Sequence, residues 1–204
     1  MKAAEEARKD FRNRLLSTQG RESVDKLISH QLFGRTPAIF GDDQAAWIDW
    51  KAELAAGLEV DPLSIFIVGS AALGFSPSIG KDMHLFQSSS DIDVAVISPH
   101  HFDLAWHELR SFDRSRFPAT TCETLSKHDL KYIYWGTVAT DEVLMCFDFG
   151  KKWSARLDKM RDRPPTVDRD VNVRLYRDPA SLRTYQIKGL LEARSELLLQ
   201  GASF

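Results

Sequence analysis

Two short runs, Leu63-Ser-Ile-Phe-Ile-Val68 and Asp91-Ile-Asp-Val-Ala-Val-Ile-Ser98, limit most strongly what this chain can fold into. Each has strand length, is rich in β-branched residues and is bounded by turn formers: Pro62 and Gly69 around the first, Pro99 after the second. Most other apolar residues recur at helical spacing. Phe11, Leu15 and Leu16 make one stripe, and Val24, Leu27 and Ile28 make another, with Gly20 separating two helices or marking a kink. Asp42 and Asp43 read as N-cap residues of a helix to about Gly57, with Ala46, Trp47, Trp50, Leu54 and Leu58 on its apolar face. Residues 70–74 begin a short helix, and residues 75–90 form a long loop. A helix over 101–112 turns Phe102, Ala105, Trp106 and Leu109 inward. Residues 131–138 and 143–149 read as two further strands, joined as a hairpin through Ala139 to Glu142. Residues 151–160 are helical, Pro164-Pro165 breaks the chain, and a last helix runs from Pro179 to Leu199. This order predicts an α/β (α+β) domain, with a mixed β-sheet, helices chiefly on one face, and N- and C-terminal helical extensions. The expected boundaries are 1–41 for the N-terminal extension, 42–150 for the core and 151–204 for a C-terminal helical segment packed on it.

With 204 residues, of which 43% are hydrophobic, the chain can bury a sizeable core without disulfides or a structural metal. Its two cysteines, Cys122 and Cys146, are too few for a disulfide framework or a cysteine zinc site. No apolar run approaches the roughly 20 residues that span a bilayer, and the charged start MKAAEEARKDFRNR does not read as a signal peptide. The expectation is a soluble, cytoplasmic protein without a membrane role. A formal net charge of -2 excludes a strongly basic nucleic-acid binder. The charge is uneven: residues 151–204 hold 12 Lys and Arg against 7 Asp and Glu, and residues 1–150 hold 15 against 22. The basic stretch reads either as a solvated helical tail or as a surface for phosphates or a partner.

The chemistry-bearing block is Gly69-Ser70 after one strand, followed by Asp91-Ile92-Asp93 on the next. Residues two apart on a strand share a face, so Asp91 and Asp93 point the same way, about 7 Å apart along the chain. Paired carboxylates repel unless a cation lies between them. Hard divalent ions such as Mg2+ or Mn2+ take oxygen ligands from one or two carboxylates together with substrate phosphates. A Gly-Ser turn at a strand-to-helix junction offers backbone N–H groups and a hydroxyl to a phosphate. The best candidate for a third carboxylate is Asp148, an acid within the apolar stretch Val143–Phe149. Asp141 and Glu142 fit an ordinary exposed turn.

Taken together, Val68-Gly-Ser-Ala-Ala-Leu-Gly74, Ser88-Ser-Ser-Asp-Ile-Asp-Val-Ala-Val-Ile-Ser98 and a later strand acid resemble the DNA polymerase β-type nucleotidyltransferase superfamily. The resemblance spans roughly residues 42–150. It implies a nucleotidyltransferase fold and transfer of a nucleoside monophosphate from an NTP to a hydroxyl acceptor, with pyrophosphate leaving. It implies two Mg2+ or Mn2+ ions held by Asp91, Asp93 and Asp148, with Asp148 helping to activate the acceptor, and Gly69 and Ser70 gripping the triphosphate. The acceptor class stays open: a protein, an RNA end, a nucleotide or a small molecule. Bacterial members of this kind are often tied to antiviral defence or toxin–antitoxin systems. The sequence departs from minimal members in its long segment between Ser70 and Asp91, where Lys81 and His84 are either solvated or in reach of the triphosphate.

Each piece also has a plainer reading. Asp-x-Asp can be a loop-facing acid pair, Gly-Ser a plain turn, and Asp148 a salt-bridged structural acid. His100, His101, His107 and His128 show no metal-ligand spacing, and the five tryptophans read as core. Tyr132 and Tyr134 are placed to flank a base if their segment is a strand. Two other functions compete: a non-catalytic antitoxin or regulatory module with the terminal helices as a protein interface, and a nucleic-acid binder using Lys151, Lys152, Arg156, Arg161 and Arg163.

Overall fold

The computed structural model describes residues 2–78, 80, 83–141 and 143–201, so Lys81 and Glu142 lie outside the described residues. In chain order the elements are α1 (Lys2–Ser17), α2 (Gly20–Ile28), α3 (Gln44–Leu58), β1 (Ile65–Val68), α4 (Gly69–Leu73), β2 (Ile92–Ile97), α5 (Pro99–Ser111), α6 (Ala119–Lys127), β3 (Thr137–Ala139), α7 (Gly150–Met160), β4 (Val171–Tyr176) and α8 (Pro179–Gly201). Local chemistry sets several boundaries. The Asp43 carboxylate accepts the Ala46 N–H and caps α3, which ends where Glu59 turns left-handed at φ 56°. Ser98 caps α5, with Pro99 in the first turn.

The protein is a mixed α/β structure built on one four-stranded sheet in the order β1-β2-β4-β3. β2 lies antiparallel to β1 and parallel to β4, and β3 lies antiparallel to β4. Strand alternation gives the sheet two different faces. Ile65, Ile67, Ile92, Val94, Val96, Val171, Val173 and Leu175 enter the main core with Leu54, Phe102, Ala105 and Trp153 from α3, α5 and α7. On the other face Val68, Ala95 and Tyr176 form a smaller buried cluster under Leu182 of α8, with Phe33, Phe66 and Tyr185 packed beside it. α2 packs along α8, and Arg183 of α8 donates to Asp25 at 2.7 Å and to Ser29 at 2.8 Å. No helix among the described residues is long and apolar enough to cross a membrane.

Two expected strands are corrected. Residues 131–138 are not one strand: His128–Tyr132 forms a π-helical turn and Gly136 breaks the path at φ 66°, so only Thr137–Ala139 pairs in the sheet. Residues 143–149 hold no strand and no hairpin. Val143 and Phe147 are buried four residues apart while Met145 between them is exposed, and Leu144–Cys146 is a 3-10 turn. Such an apolar run without alternation fits a helical turn as well as a strand. The strand beside β2 is instead β4, from the segment expected to be helical; Val171, Val173 and Leu175 point inward, Asn172 and Arg174 outward.

Candidate functional site

The site forms where β1 ends. Val68 pairs with Asp93 across the β1–β2 ladder, and the chain turns at Gly69 with φ 64°. A Cβ on Gly69 would lie 3.0 Å from Asp93 Oδ2, so the glycine lets the main chain approach the carboxylate closely. Asp91 enters β2 from the loop, fixed by the Ile92 N–H donating to the Asp170 carbonyl at 2.8 Å. Both Asp91 and Asp93 are exposed, whereas Ile92 and Val94 are buried. Alternation thus delivers the expected shared face.

Two cavities meet at Gly69 and Asp93, which line both. The first, about 370 Å³, brings Gly69, Ser70, Asp91 and Asp93 together with Ser76, Ser78, His84 and Gln87 of the long loop. Its wall is pinned from several directions. Ser76 N–H donates to the His84 carbonyl, and Phe86 N–H to the Gly74 carbonyl. Arg169 Nη1 donates to the carbonyls of Gln87, Ser88 and Ser90 at 2.6, 3.0 and 2.9 Å, while its guanidinium covers the Phe86 ring at 4.6 Å. From α1, Phe11 packs edge-on against Phe75 at 5.3 Å.

The second cavity, about 250 Å³, continues across the sheet face past Asp93 to Asp141, Asn172, Arg174, Tyr176, Tyr185 and Gln186. Burial raises the Tyr176 phenol well above its ordinary pKa; Arg174 opposes that shift, and Tyr185 and Asp93 add to it. The phenol therefore stays protonated beside the acids.

Asp148 does not join Asp91 and Asp93. It lies exposed in the turn just before α7, its N–H donating to Glu108 Oε2 of α5 at 3.0 Å, and it lines neither cavity. The reason is topological: with no strand at 143–149, β2 is flanked by β4, which sets Asn172 opposite Asp93. Besides Asp91, the acid that shares a cavity with Asp93 among the described residues is Asp141, read from the sequence as a turn residue. Asn172 and Arg174 were missed as site residues, although Val171-Asn-Val-Arg-Leu-Tyr176 has the period-two signal of a strand with one polar face. Tyr132 sits on the π-helical turn with its ring 5.4 Å from the Arg174 guanidinium, and Tyr134 is largely exposed.

The donor set fits one hard divalent ion. Asp91 and Asp93 both line one cavity, Asn172 is in register with Asp93 and lines the adjoining cavity, and phosphate or water oxygens would complete the shell. A second ion would need a further acid, and among the described residues no group of three His, Cys, Asp or Glu side chains is arranged to hold a metal. Of the basic residues after position 150, Lys152 pairs with Glu59, Arg156 and Arg163 with Glu53, and Arg161 with Asp170. Their charge is largely met within the molecule.

Comparison with protein-family models, with curated proteins and with solved structures finds no match for this chain.

Proposed function

We propose that the protein is a metal-dependent nucleotidyltransferase of the DNA polymerase β type, moving a nucleoside monophosphate from an NTP to a hydroxyl acceptor. The observation that carries this reading is the meeting of Gly69, Ser70, Asp91 and Asp93 in one cavity, with the Gly69 main chain pressed against Asp93. Ser70, with Ser76, Ser78, Ser89 and Ser90 on the same cavity wall, suits a triphosphate. Asp91 and Asp93 would hold a Mg2+ or Mn2+ ion, which would supply charge neutralisation at the phosphates. The acceptor oxygen forms a bond to the α-phosphorus as the bond from that phosphorus to the α–β bridging oxygen breaks. Pyrophosphate carries away the bonding pair, and the hydroxyl proton passes to a cleft carboxylate. Asp141 takes the place proposed from sequence for Asp148, since it lies in the cavity adjoining Asp93.

The test is label transfer from each of the four α-32P NTPs with Mg2+ or Mn2+, with and without cell lysate, against an Asp91→Ala/Asp93→Ala control. Label in a protein, RNA or small-molecule fraction, lost in the control, supports the enzyme and names its acceptor class. Wild-type protein that binds NTP and transfers nothing defeats it.

Two observations favour a second reading, a non-catalytic binding module in which the terminal helices meet a partner: Asn172 stands opposite Asp93, and Asp148 lies outside the cleft. Under that reading Asp91→Ala leaves the biological activity intact.

A further inference from the structure

Arg174 lines the second cavity, and among the described residues no carboxylate forms an ion pair with it. It sits mid-strand on β4, on the same sheet face as Asn172 and Tyr176, opposite Ala95 of β2. Its guanidinium carbon lies 5.4 Å from the Tyr132 ring centroid and 5.0 Å from that of Tyr185. Contacts with two aromatic rings hold a guanidinium in place and leave its edge N–H groups for hydrogen bonds. Its Nη1 is buried with no hydrogen-bond partner, and it forms no ion pair among the described residues. A buried charged donor left unmade is unfavourable, and the half-buried side chain, which lines the cavity, brings that unmet hydrogen-bonding capacity to its wall. Asp141 shares the cavity without pairing to it, and Asn172 and Gln186 add amide donors. The cavity is a few hundred cubic ångströms and adjoins Asp93 directly, so it admits a small molecule or chain end rather than a folded surface.

We propose that this cavity is an oxyanion subsite in which Arg174 grips a phosphate monoester on the acceptor, holding the acceptor beside Asp93. The role as acceptor site rests on the nucleotidyltransferase reading, which assigns the NTP to the neighbouring cavity; the phosphate site itself does not. Guanidinium groups match phosphate oxygens with two parallel N–H bonds, which an ammonium or an amide cannot reproduce.

The experiment is calorimetric titration of AMP, and of adenosine as the phosphate-free control, into the full chain. Each titration is run alone and after saturation with Mn2+ and a non-hydrolysable ATP analogue. The expected result is that AMP binds in both conditions and adenosine binds at least tenfold more weakly. Arg174→Gln should weaken AMP about tenfold or more and leave the analogue unaffected, with a thermal melt confirming that the variant is folded. If Arg174→Gln does not fold, Arg174→Lys takes its place: it keeps the charge, loses the fork, and should bind AMP several-fold more weakly than wild type with analogue binding unchanged. Equal binding of AMP and adenosine, AMP excluded by the analogue, or AMP indifferent to Arg174 overturns the proposal while leaving the nucleotidyltransferase reading intact. Arg174-dependent AMP binding by a protein that never binds the analogue keeps the phosphate site and removes its acceptor role.

Discussion

At the scale of single residues, the site depends on a missing atom. Gly69 combines φ 64° with a virtual Cβ only 3.0 Å from Asp93 Oδ2, so Gly69→Ala incurs backbone strain and crowds the carboxylate at once. Urea denaturation should show Gly69→Ala destabilised by about 1–3 kcal/mol. Adding Asp93→Ala should recover the crowding part and leave the strain; a double mutant no more stable than Gly69→Ala would show that the contact contributes nothing. Glu108 is a second informative residue, on α5 where it accepts the Asp148 N–H. Burial raises its pKa, the Asp148 N–H opposes that shift, and the Asp148 charge adds to it. An acid held above its unfolded pKa binds its proton more tightly when folded, so its ionisation removes stability as pH rises through the folded value. Glu108→Gln keeps an acceptor for that N–H and removes the charge. It should melt above wild type at about pH 7, with the difference closing by about pH 3, where both side chains are neutral. A wild type that melts higher at neutral pH would contradict this.

At the scale of elements, Arg169 does for the 87–90 loop what pairing does for a strand. One Nη1 meets three carbonyls within 3.0 Å and the guanidinium lies over Phe86, fixing the stretch that runs into Asp91. Removing it with Arg169→Ala should raise amide exchange at residues 87–90 roughly tenfold, equivalent to about 1.4 kcal/mol of local stability, and leave the central β2 amides protected. Exchange unchanged in the loop would show that the backbone holds itself. The same elements mark how far the sequence was legible. β1, the Gly69 turn and β2 are local features whose pattern survives any tertiary context: a β-branched run, a turn residue, and two acids alternating with core residues. α3, α5, α7 and α8 were legible for the same reason, from caps and helical stripes. The partner of β2 was not. Val143–Phe149 is more apolar than β4 and drew the strand assignment, and Asp148 with it, yet nothing local dictates which segment completes a sheet. β4 was the better match by alternation, but its polar residues Asn172 and Arg174 hid it because they face the cleft. The residues that bring it to the cavity wall are those that weaken its hydrophobic signal.

At the scale of the whole molecule, the parallel pairing of β2 with β4 decides which part of the chain can fold alone. The core expected from the sequence spans roughly residues 42–150, yet a fragment with those limits lacks the strand between β2 and β3. Without β4, β3 loses its sheet partner, and β2 keeps only β1. Val171, Val173 and Leu175 are each at most 5% exposed in the full chain. Burying a side chain of this size contributes about 1.5–3 kcal/mol, so these three alone approach the 5–15 kcal/mol net stability of an ordinary domain. Loss of α8 also uncovers Val68 and Ala95 on the cleft face, and loss of α7 removes Trp153 from the main core. A fragment of residues 42–150 should therefore show no cooperative thermal transition by circular dichroism and poorly dispersed amide resonances, while the full chain melts in one step. A cooperative melt from the fragment would mean that β1 and β2 with their helices form a self-sufficient core, and that β4 is an addition to the sheet. The expected outcome carries a functional consequence. The strand that closes the fold also places Asn172 and Arg174 beside Asp93, so the chain cannot fold its sheet without assembling the second cavity.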